Sequence, residues 1–224
     1  MHNYQQFLKK FRVKRFKKGE IILCQGEVPE CAYAVRSGII KTYNLTLQGE
    51  EKPIGFDIIN EIFPMAWVFG KVERVQYYYE AFTDCEVYCI PVDGYMTYLE
   101  TNPKDMLATL DYLISRYMGS QMRINALEQS KASSKVINTL HFLCLRYGSE
   151  LKKDTIKIKI PLTQQDLANF IGLTRETTGI ELKKLQKQAV LTSRKQSFVV
   201  RTDKLNDLLD EDYGLGLTSH AKSA

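Results

Sequence analysis

The sequence predicts an α+β chain in three parts: a β-roll of the jelly-roll (double-stranded β-helix) type, one long helix, and a winged helix-turn-helix. Three observations carry this. Short β-branched and aromatic runs separated by glycine turns fill Phe11 to Val92. A heptad of apolar residues runs from Met106 to Leu127. The stretch Leu162 to Leu191 (LTQQDLANFIGLTRETTGIELKKLQKQAVL) joins two helical patterns through a tight turn containing Gly172. With 224 residues, 44% hydrophobic and 25% charged, the chain is long enough for two small domains or one large one and has no low-complexity tract. A net charge of +5 is too small to argue for any partner by itself. MHNYQQFLKKF lacks the apolar core of a signal peptide and no apolar run approaches a membrane span, so the cytoplasm is the expected compartment and no membrane partner is expected.

Taken in order, KKGE (Lys17 to Glu20) and QGE (Gln25 to Glu27) read as turns around the apolar segment Ile21 to Cys24. AYAVRSGIIKTYNL reads as a hairpin turning at Ser37-Gly38. IGFDIINEIF and YYYEAFTDCEVYCIPVD follow as strands. The basic run Lys9, Lys10, Arg12, Lys14, Arg15, Lys17 and Lys18 suits a solvated helix end and strand face better than a nucleic-acid site. Alternation in CEVYCI puts Cys85, Val87 and Cys89 on one face. Cys24, Cys31, Cys85, Cys89 and Cys144 include no C-x-x-C pair, so buried free thiols are expected rather than a metal or cluster site. His2, His141 and His220 are scattered and near no acid or nucleophile motif. Tyr77, Tyr78 and Tyr79 are expected to fill the barrel rather than stack on a ligand.

Pro103 suits the first turn of a helix that continues to about Lys131. Its seam is Met106, Leu110, Leu113, Tyr117, Ser120, Ile124 and Leu127, at alternating spacings of four and three, which predicts a parallel homodimer; the alternative is an internal core helix of a monomer. A second stripe, Leu107, Ile114, Met118 and Gln121, is expected to lie on the β-roll. Ala132-Ser133-Ser134 reads as a hinge, Lys135 to Tyr147 as an apolar helix, and TIKIKIP as an alternating strand. The expected boundaries are 1–103 for the roll, 104–131 for the long helix, 132–212 for the helix-turn-helix domain with DKLNDLLDEDYG as its closing helix, and 213–224 for a flexible tail.

Within the last domain, Thr163 with Asp166 three residues on makes a variant capping box, Gly172 supplies the positive φ of a sharp exit, and Thr174 caps a second helix. Thr178, Leu182, Leu185 and Ala189 form its buried stripe. The other face carries Glu176, Ile180, Lys183 and Lys187, with Arg175 in the first turn. An arginine there can bridge guanine N7 and O6, and a glutamate can accept from cytosine N4. A plain αα-hairpin with a solvated face would share the spacing. Against it, TSRKQSFVVR (Thr192 to Arg201) reads as the strand of a wing. Arg175, Lys183, Lys184, Lys187, Arg194, Lys195 and Arg201 also outnumber Asp166, Glu176 and Glu181, which favours a phosphate partner.

TQQDLANFIGLTRETT resembles the helix-turn-helix of the superfamily of the cyclic-AMP receptor protein and the fumarate and nitrate reduction regulator, where T-x-x-[DE]-[IL]-A-x-x-[IV]-G-x-[ST]-R-E-T-[VT] recurs. KKGEIILCQGEVPECAYAVRSGIIKTY is similar to the opening strands of that superfamily's sensor domain. The resemblance implies that Arg175 and Glu176 touch base edges and that Thr163, Gln164, Thr174 and Thr177 contact or align on phosphates. One position departs: Ile180 stands where the family often has Arg, which permits an apolar contact with a thymine methyl. The family's phosphate cassette, G-E-[IL]-x-L followed by R-[AST]-A, falls on Asn60-Glu61-Ile62-Phe63-Pro64 and on Val75-Gln76-Tyr77. Glu61 remains as a ribose-hydroxyl acceptor, and Arg74 is one residue off register. Losing a charge-assisted pair of roughly 1.5 to 3 kcal/mol argues against ordinary cyclic-AMP binding. Ser120 and Gln121 align with the family positions that approach a bound nucleobase from the long helix.

The expectation is a non-enzymatic homodimeric transcription regulator of palindromic double-stranded DNA, with RNA polymerase as a candidate further partner. An effector held between roll and long helix would shift the population of DNA-competent dimers. A nucleotide second messenger, another small molecule, a protein, or a constitutively poised state all remain open for that role. The rival is a nucleotide-sensing signalling module acting through protein contacts; a cupin-like enzyme would need a histidine in the strands, and there is none.

Overall fold

A computed structural model describes residues 2–209. The chain divides into two compact units, residues 1–112 and 113–224, with one long helix running across the division.

The first unit opens with α1 (His2–Leu8), then β1 (Val13–Phe16), β2 (Ile21–Leu23), β3 (Ala32–Ser37), β4 (Ile40–Leu45), β5 (Glu51–Asp57), β6 (Ile62–Phe63), the single turn α2 (Met65–Val68), β7 (Tyr78–Ala81), β8 (Cys85–Ile90) and α3 (Val92–Thr101). Two antiparallel four-stranded sheets result, in the orders β1-β8-β3-β6 and β2-β7-β4-β5. Between them Val35, Ile40, Phe63, Tyr79, Val87 and Cys85 are buried. On the other side of the first sheet, Ala32, Ala34, Tyr88 and Ile90 pack with Leu8, Tyr95 and Leu99. Strands β3 and β8 are thus buried on both faces, which is why they read as continuous apolar runs.

Three expectations are corrected here. Ser37-Gly38 does not turn a hairpin: β3 and β4 belong to different sheets, and the chain crosses from one to the other at Gly38. Gly38 has φ +85, and a Cβ there would lie 2.4 Å from the Asp84 carbonyl oxygen and 2.5 Å from the Cys85 Cβ, so only glycine fits the corner. The runs read as single strands likewise split: IGFDIINEIF into β5 and β6, and YYYEAFTDCEVYCI into β7 and β8, with the halves in opposite sheets. Cys31 and Cys89 are joined in a disulfide, not free; Cys24 is exposed, and only Cys85 and Cys144 are buried thiols, pushed up to about 11 and about 12 by burial. Cys31 leads into β3 and Cys89 lies on β8, its hydrogen-bonded neighbour, so their Cα atoms sit 5.6 Å apart. The aromatic run behaves largely as expected: Tyr79 stacks on Phe63 inside, while Tyr78 stacks on Tyr43.

The disulfide closes 58 residues of chain. Reduction, or Cys31→Ala with Cys89→Ala, should lower the stability of the first unit by about 2 to 4 kcal/mol through the loop entropy returned to the unfolded chain. Urea unfolding with and without a thiol reductant checks this; coincident curves would contradict it.

Long helix α4 (Pro103–Glu128) follows, then α5 (Ala132–Tyr147), β9 (Gly148–Lys152), β10 (Thr155–Ile158), α6 (Gln164–Ile171), α7 (Arg175–Lys187), β11 (Leu191–Arg194), β12 (Ser197–Arg201) and α8 (Thr202–Asn206). The second unit's strands order as β11-β12-β10-β9. Its core gathers Val136, Leu140 and Leu143 of α5 with Ile158, Ile160, Leu162, Leu167, Phe170, Leu182 and Val200, all buried. Ala132-Ser133-Ser134 is not a hinge but the first turn of α5, capped by the extended Lys131 (φ −89°, ψ 136°); the helical break falls at residues 129–131.

On α4 the seam residues Met106, Leu110, Tyr117 and Ile124 are exposed, at 42%, 52%, 65% and 47%, and Leu113 and Leu127 are half-buried. In the second stripe Leu107, Ile114, Met118 and Gln121 are exposed too. At 100° per residue the two stripes merge into one broad apolar face, and the helix buries Gly119, Met122 and Ala126 instead. Among the described residues no helix is long and apolar enough to cross a membrane. The expected tail at 213–224 lies outside the described residues.

Candidate nucleic-acid interface

The reader is built by local capping. Thr163 (φ −75°, ψ 168°) accepts from the Asp166 backbone N–H at 3.0 Å, and Asp166 accepts in return from the Thr163 N–H at 2.8 Å and its hydroxyl at 2.6 Å. Gly172 at φ 75° ends α6, its N–H donating to the Ala168 carbonyl. Thr174 then accepts from the Thr177 N–H at 3.1 Å to start α7, and the two hydroxyls are 2.9 Å apart. These threonine hydroxyls are therefore occupied in holding two helix N-termini.

The two helices are clamped by a contact that the sequence did not announce. Gln164 donates from Nε2 to the Arg175 carbonyl at 2.8 Å, so one of its amide N–H groups is used inside the motif. This needs Gly179: a Cβ there would lie 2.2 Å from Gln164 Nε2. A small residue at that position of α7 was the available signal.

Packing fixes which face of α7 is presented. Thr178, Leu182 and Leu185 are buried at 0%, 5% and 4%. Ala189 is not part of this stripe: α7 ends at Lys187, Ala189 adopts φ 54° at the surface, and Val190 is the buried residue. Arg175, Glu176, Ile180, Lys183 and Lys187 are all exposed. Among the described residues neither Arg175 nor Glu176 has a side-chain partner, whereas Lys184 on the same helix is held by Glu181 at 2.7 Å. One face of α7 is thus anchored and the other offers a cation and an anion beside the positive end of the helix dipole.

The Thr178 hydroxyl is buried without a hydrogen-bond partner among the described residues. Thr178→Val keeps the shape and removes that unsatisfied group, so unfolding free energy should rise by about 1 kcal/mol with DNA affinity unchanged. A destabilised valine variant in urea unfolding would contradict this.

Behind α6 lies a second contact missed in the sequence. Arg123 of α4 places its guanidinium 3.9 Å from the Phe170 ring centre, and its Nη2 donates to the Phe170 carbonyl at 3.4 Å. Burial pulls its pKa down to about 10. Phe170 in turn stacks on Phe142 of α5 at 6.1 Å. The second half of α4 is therefore joined to the last turn of the first reader helix.

The effector candidates are arranged differently. Asn60 adopts a left-handed backbone, φ 70°, and accepts from Gln5 Nε2 at 2.5 Å. Glu61 is 7% exposed, and its Oε2 accepts from the Ile58 N–H at 3.1 Å, closing its own turn. Arg74 is exposed and donates to the Gly26 carbonyl at 3.0 Å. Ser120 and Gln121 of α4 are exposed, the serine donating to the Arg116 carbonyl at 3.0 Å. Lys41 is 8% exposed, and Glu51 (2.5 Å) and Glu80 (3.3 Å) hold it. Arg74 is thus turned to a backbone carbonyl and Lys41 to two carboxylates, so these residues do not fit an ordinary cyclic nucleotide.

Residues 13–102 match the model of the cyclic nucleotide-binding domain, and residues 134–208 that of the Crp-like helix-turn-helix domain. The chain is 28% identical to the HTH-type transcriptional regulator ArcR of Staphylococcus haemolyticus, over 88% of this chain and 85% of that protein. It is 25% identical to the global nitrogen regulator of Synechococcus elongatus, over 84% of this chain and 85% of that one. Among solved structures, FixK2 from Bradyrhizobium japonicum superposes with a TM-score of 0.72 at 19% identity, over 88% of this chain and 96% of that chain, a likeness of fold.

Proposed function

Because the chain is a transcription regulator of the Crp/Fnr superfamily, with a cyclic nucleotide-binding-type domain ahead of a Crp-like helix-turn-helix, we propose that it reads a palindromic operator as a homodimer through Arg175 and Glu176. The observation that carries this is the exposed Arg175–Glu176 pair, whose side chains have no partner among the described residues, at the start of a helix whose opposite face is buried. Arg175 bridges guanine acceptors, Glu176 accepts from cytosine, and Ile180, 56% exposed, meets a thymine methyl. Lys183 lies against phosphate. Thr163, Thr174 and Thr177 serve the backbone by holding helix N-termini whose N–H groups face it, and Gln164 serves by fixing Arg175.

Met106, Leu110, Leu113, Tyr117, Ile124 and Leu127 form the seam between two copies, residues 104–131 being the dimer helix between a sensor domain at 1–103 and the DNA-binding domain at 132–212. The two-fold axis sets two readers about one duplex turn apart, and RNA polymerase is the partner this reading implies at a promoter. Selection of genomic fragments by the purified protein tests it: fragments sharing an inverted repeat should be enriched, and retention without sequence preference would overturn it.

The sensor's effector is not ordinary cyclic AMP, since Glu61 and Arg74 are turned to contacts within the roll; Ser120 and Gln121 are exposed polar groups of the dimer helix that an effector could meet. Titration calorimetry should give no heat with cyclic AMP at millimolar concentration; a dissociation constant in the micromolar range would contradict this. A panel of mono- and dinucleotide messengers extends the same measurement to the effector itself.

A further inference from the structure

We propose that Arg123 is a positioning residue that sets the half-site spacing the dimer accepts, by fixing the end of α6 to the dimer helix; this rests on the operator and dimer reading above. The guanidinium carbon lies 3.9 Å from the centre of the Phe170 ring, and Nη2 donates to the Phe170 carbonyl at 3.4 Å. Arg123 is half-buried and Phe170 is 1% exposed, so cation and ring meet largely out of water, where their attraction is strongest. An arginine suits this contact, because its planar group stacks on a ring and donates from its edge at the same time, which a lysine ammonium cannot do.

One face of α4 builds the contact. Gly119, Met122 and Ala126 are the residues this helix buries, and Arg123 stands one turn after Gly119 on the same side. Gly119 permits the close approach: a Cβ there would lie 3.3 Å from Cε2 of Phe142, the α5 ring that stacks on Phe170 at 6.1 Å. Three helices therefore meet around Phe170, and α4 from Leu113 onward belongs to the same compact unit as the reader.

The point of attachment gives the contact its effect. The Phe170 carbonyl is one of the last four of α6, which find no acceptor role within their own helix, and the Gly172 and Leu173 N–H groups both go to Ala168 instead. A cation at that end also faces the negative pole of the helix dipole. Two residues later Gly172 makes the turn, and Thr174 starts α7, so the guanidinium holds the place from which the recognition helix departs. The covalent route is looser. Residues 129–131 break the helix between α4 and α5, and a three-residue break alone would let α5 and the reader pivot on the dimer helix. Arg123 closes a second link across that break, to a partner 47 residues away in the chain. Gln164 fixes α7 on α6, and Arg123 fixes α6 on α4. In a two-fold dimer a pivot in each protomer changes the separation of the two α7 helices, and that separation decides which half-site spacing fits.

The test measures the affinity of wild type, Arg123→Met and Arg123→Lys for duplexes that carry the selected half-site as an inverted repeat. The central spacer is set at the selected length and at lengths one and two base pairs shorter or longer, and a further duplex holds a single half-site. Circular dichroism checks each variant's fold and light scattering its dimer. Wild type should favour one spacer over its neighbours by roughly 10-fold or more. Arg123→Met should reduce that preference at least about 5-fold, with base preference inside each half-site and affinity for the single half-site unchanged. Arg123→Lys keeps the charge and loses the planar stack, so it should fall between the two, and it decides the matter should the methionine variant not fold. A purely structural role would lower affinity for every duplex in equal proportion. A spacer preference equal to that of wild type in the folded variants overturns the proposal. Failure of the operator reading looks different: wild type would then select no inverted repeat and favour no spacer.

Discussion

Arg175→Ala combined with Glu176→Ala should cost at least about 100-fold in operator affinity and leave the residual, salt-sensitive binding to arbitrary duplex nearly intact. Each bidentate or charge-assisted base contact discriminates by about 1 to 3 kcal/mol, so two lost contacts on each of two protomers exceed that figure comfortably. The substitutions should not unfold the domain. Both side chains are exposed, and the stripe that anchors α7, Thr178, Leu182 and Leu185, is untouched. Fluorescence anisotropy on an operator and on a scrambled duplex of equal length separates the effects. Equal loss on both would mean the pair acts only on the backbone; no loss on either would remove it from the interface.

Leu110→Glu with Tyr117→Glu should convert the protein to a folded monomer at micromolar concentration and lower operator affinity by a further large factor, on the order of 100-fold. These residues are 52% and 65% exposed in the single chain, so the substitutions remove little packing within it. In a parallel seam each would be buried, at about 1.5 to 3 kcal/mol per apolar side chain and twice over by symmetry, and the new carboxylates would face one another. Light scattering reads the mass. A variant that stays dimeric would assign the dimer contact to another surface and leave the exposed face of α4 without a partner.

What could be read from the sequence was mostly what is local. Thr163 with Asp166, Gly172 and Thr174 are capping signals confined to a few residues, and the structure has each cap where the spacing put it. Composition and turn spacing likewise gave a β-roll without saying which strands meet. The Cys31–Cys89 link depends on β3 lying beside β8, a pairing between segments far apart in the chain, so alternation predicted the shared face but not the bond. Gly38 looked like a hairpin turn because positive φ serves hairpins and sheet-to-sheet corners alike. Helix α3 (VDGYMTYLET) went unread because glycine, threonine and tyrosine favour other structure locally, and only packing of Tyr95 and Leu99 on the first sheet overrides them. For α4, periodicity shows that a face is apolar and not what covers it. In the reader, the hydrogen bond from Gln164 to the Arg175 carbonyl is not legible, since a side chain's partner eleven residues away is not written in its type.

The central claim, that α7 reads sequence through its first turn, is tested most directly by selecting binding sites from a random duplex library with wild type and with Arg175→Ala. Wild type should enrich an inverted repeat containing a fixed G·C pair in each half-site, and the variant should enrich the same repeat with that pair relaxed to any base. The same motif with the same fixed pair from both proteins would contradict the account.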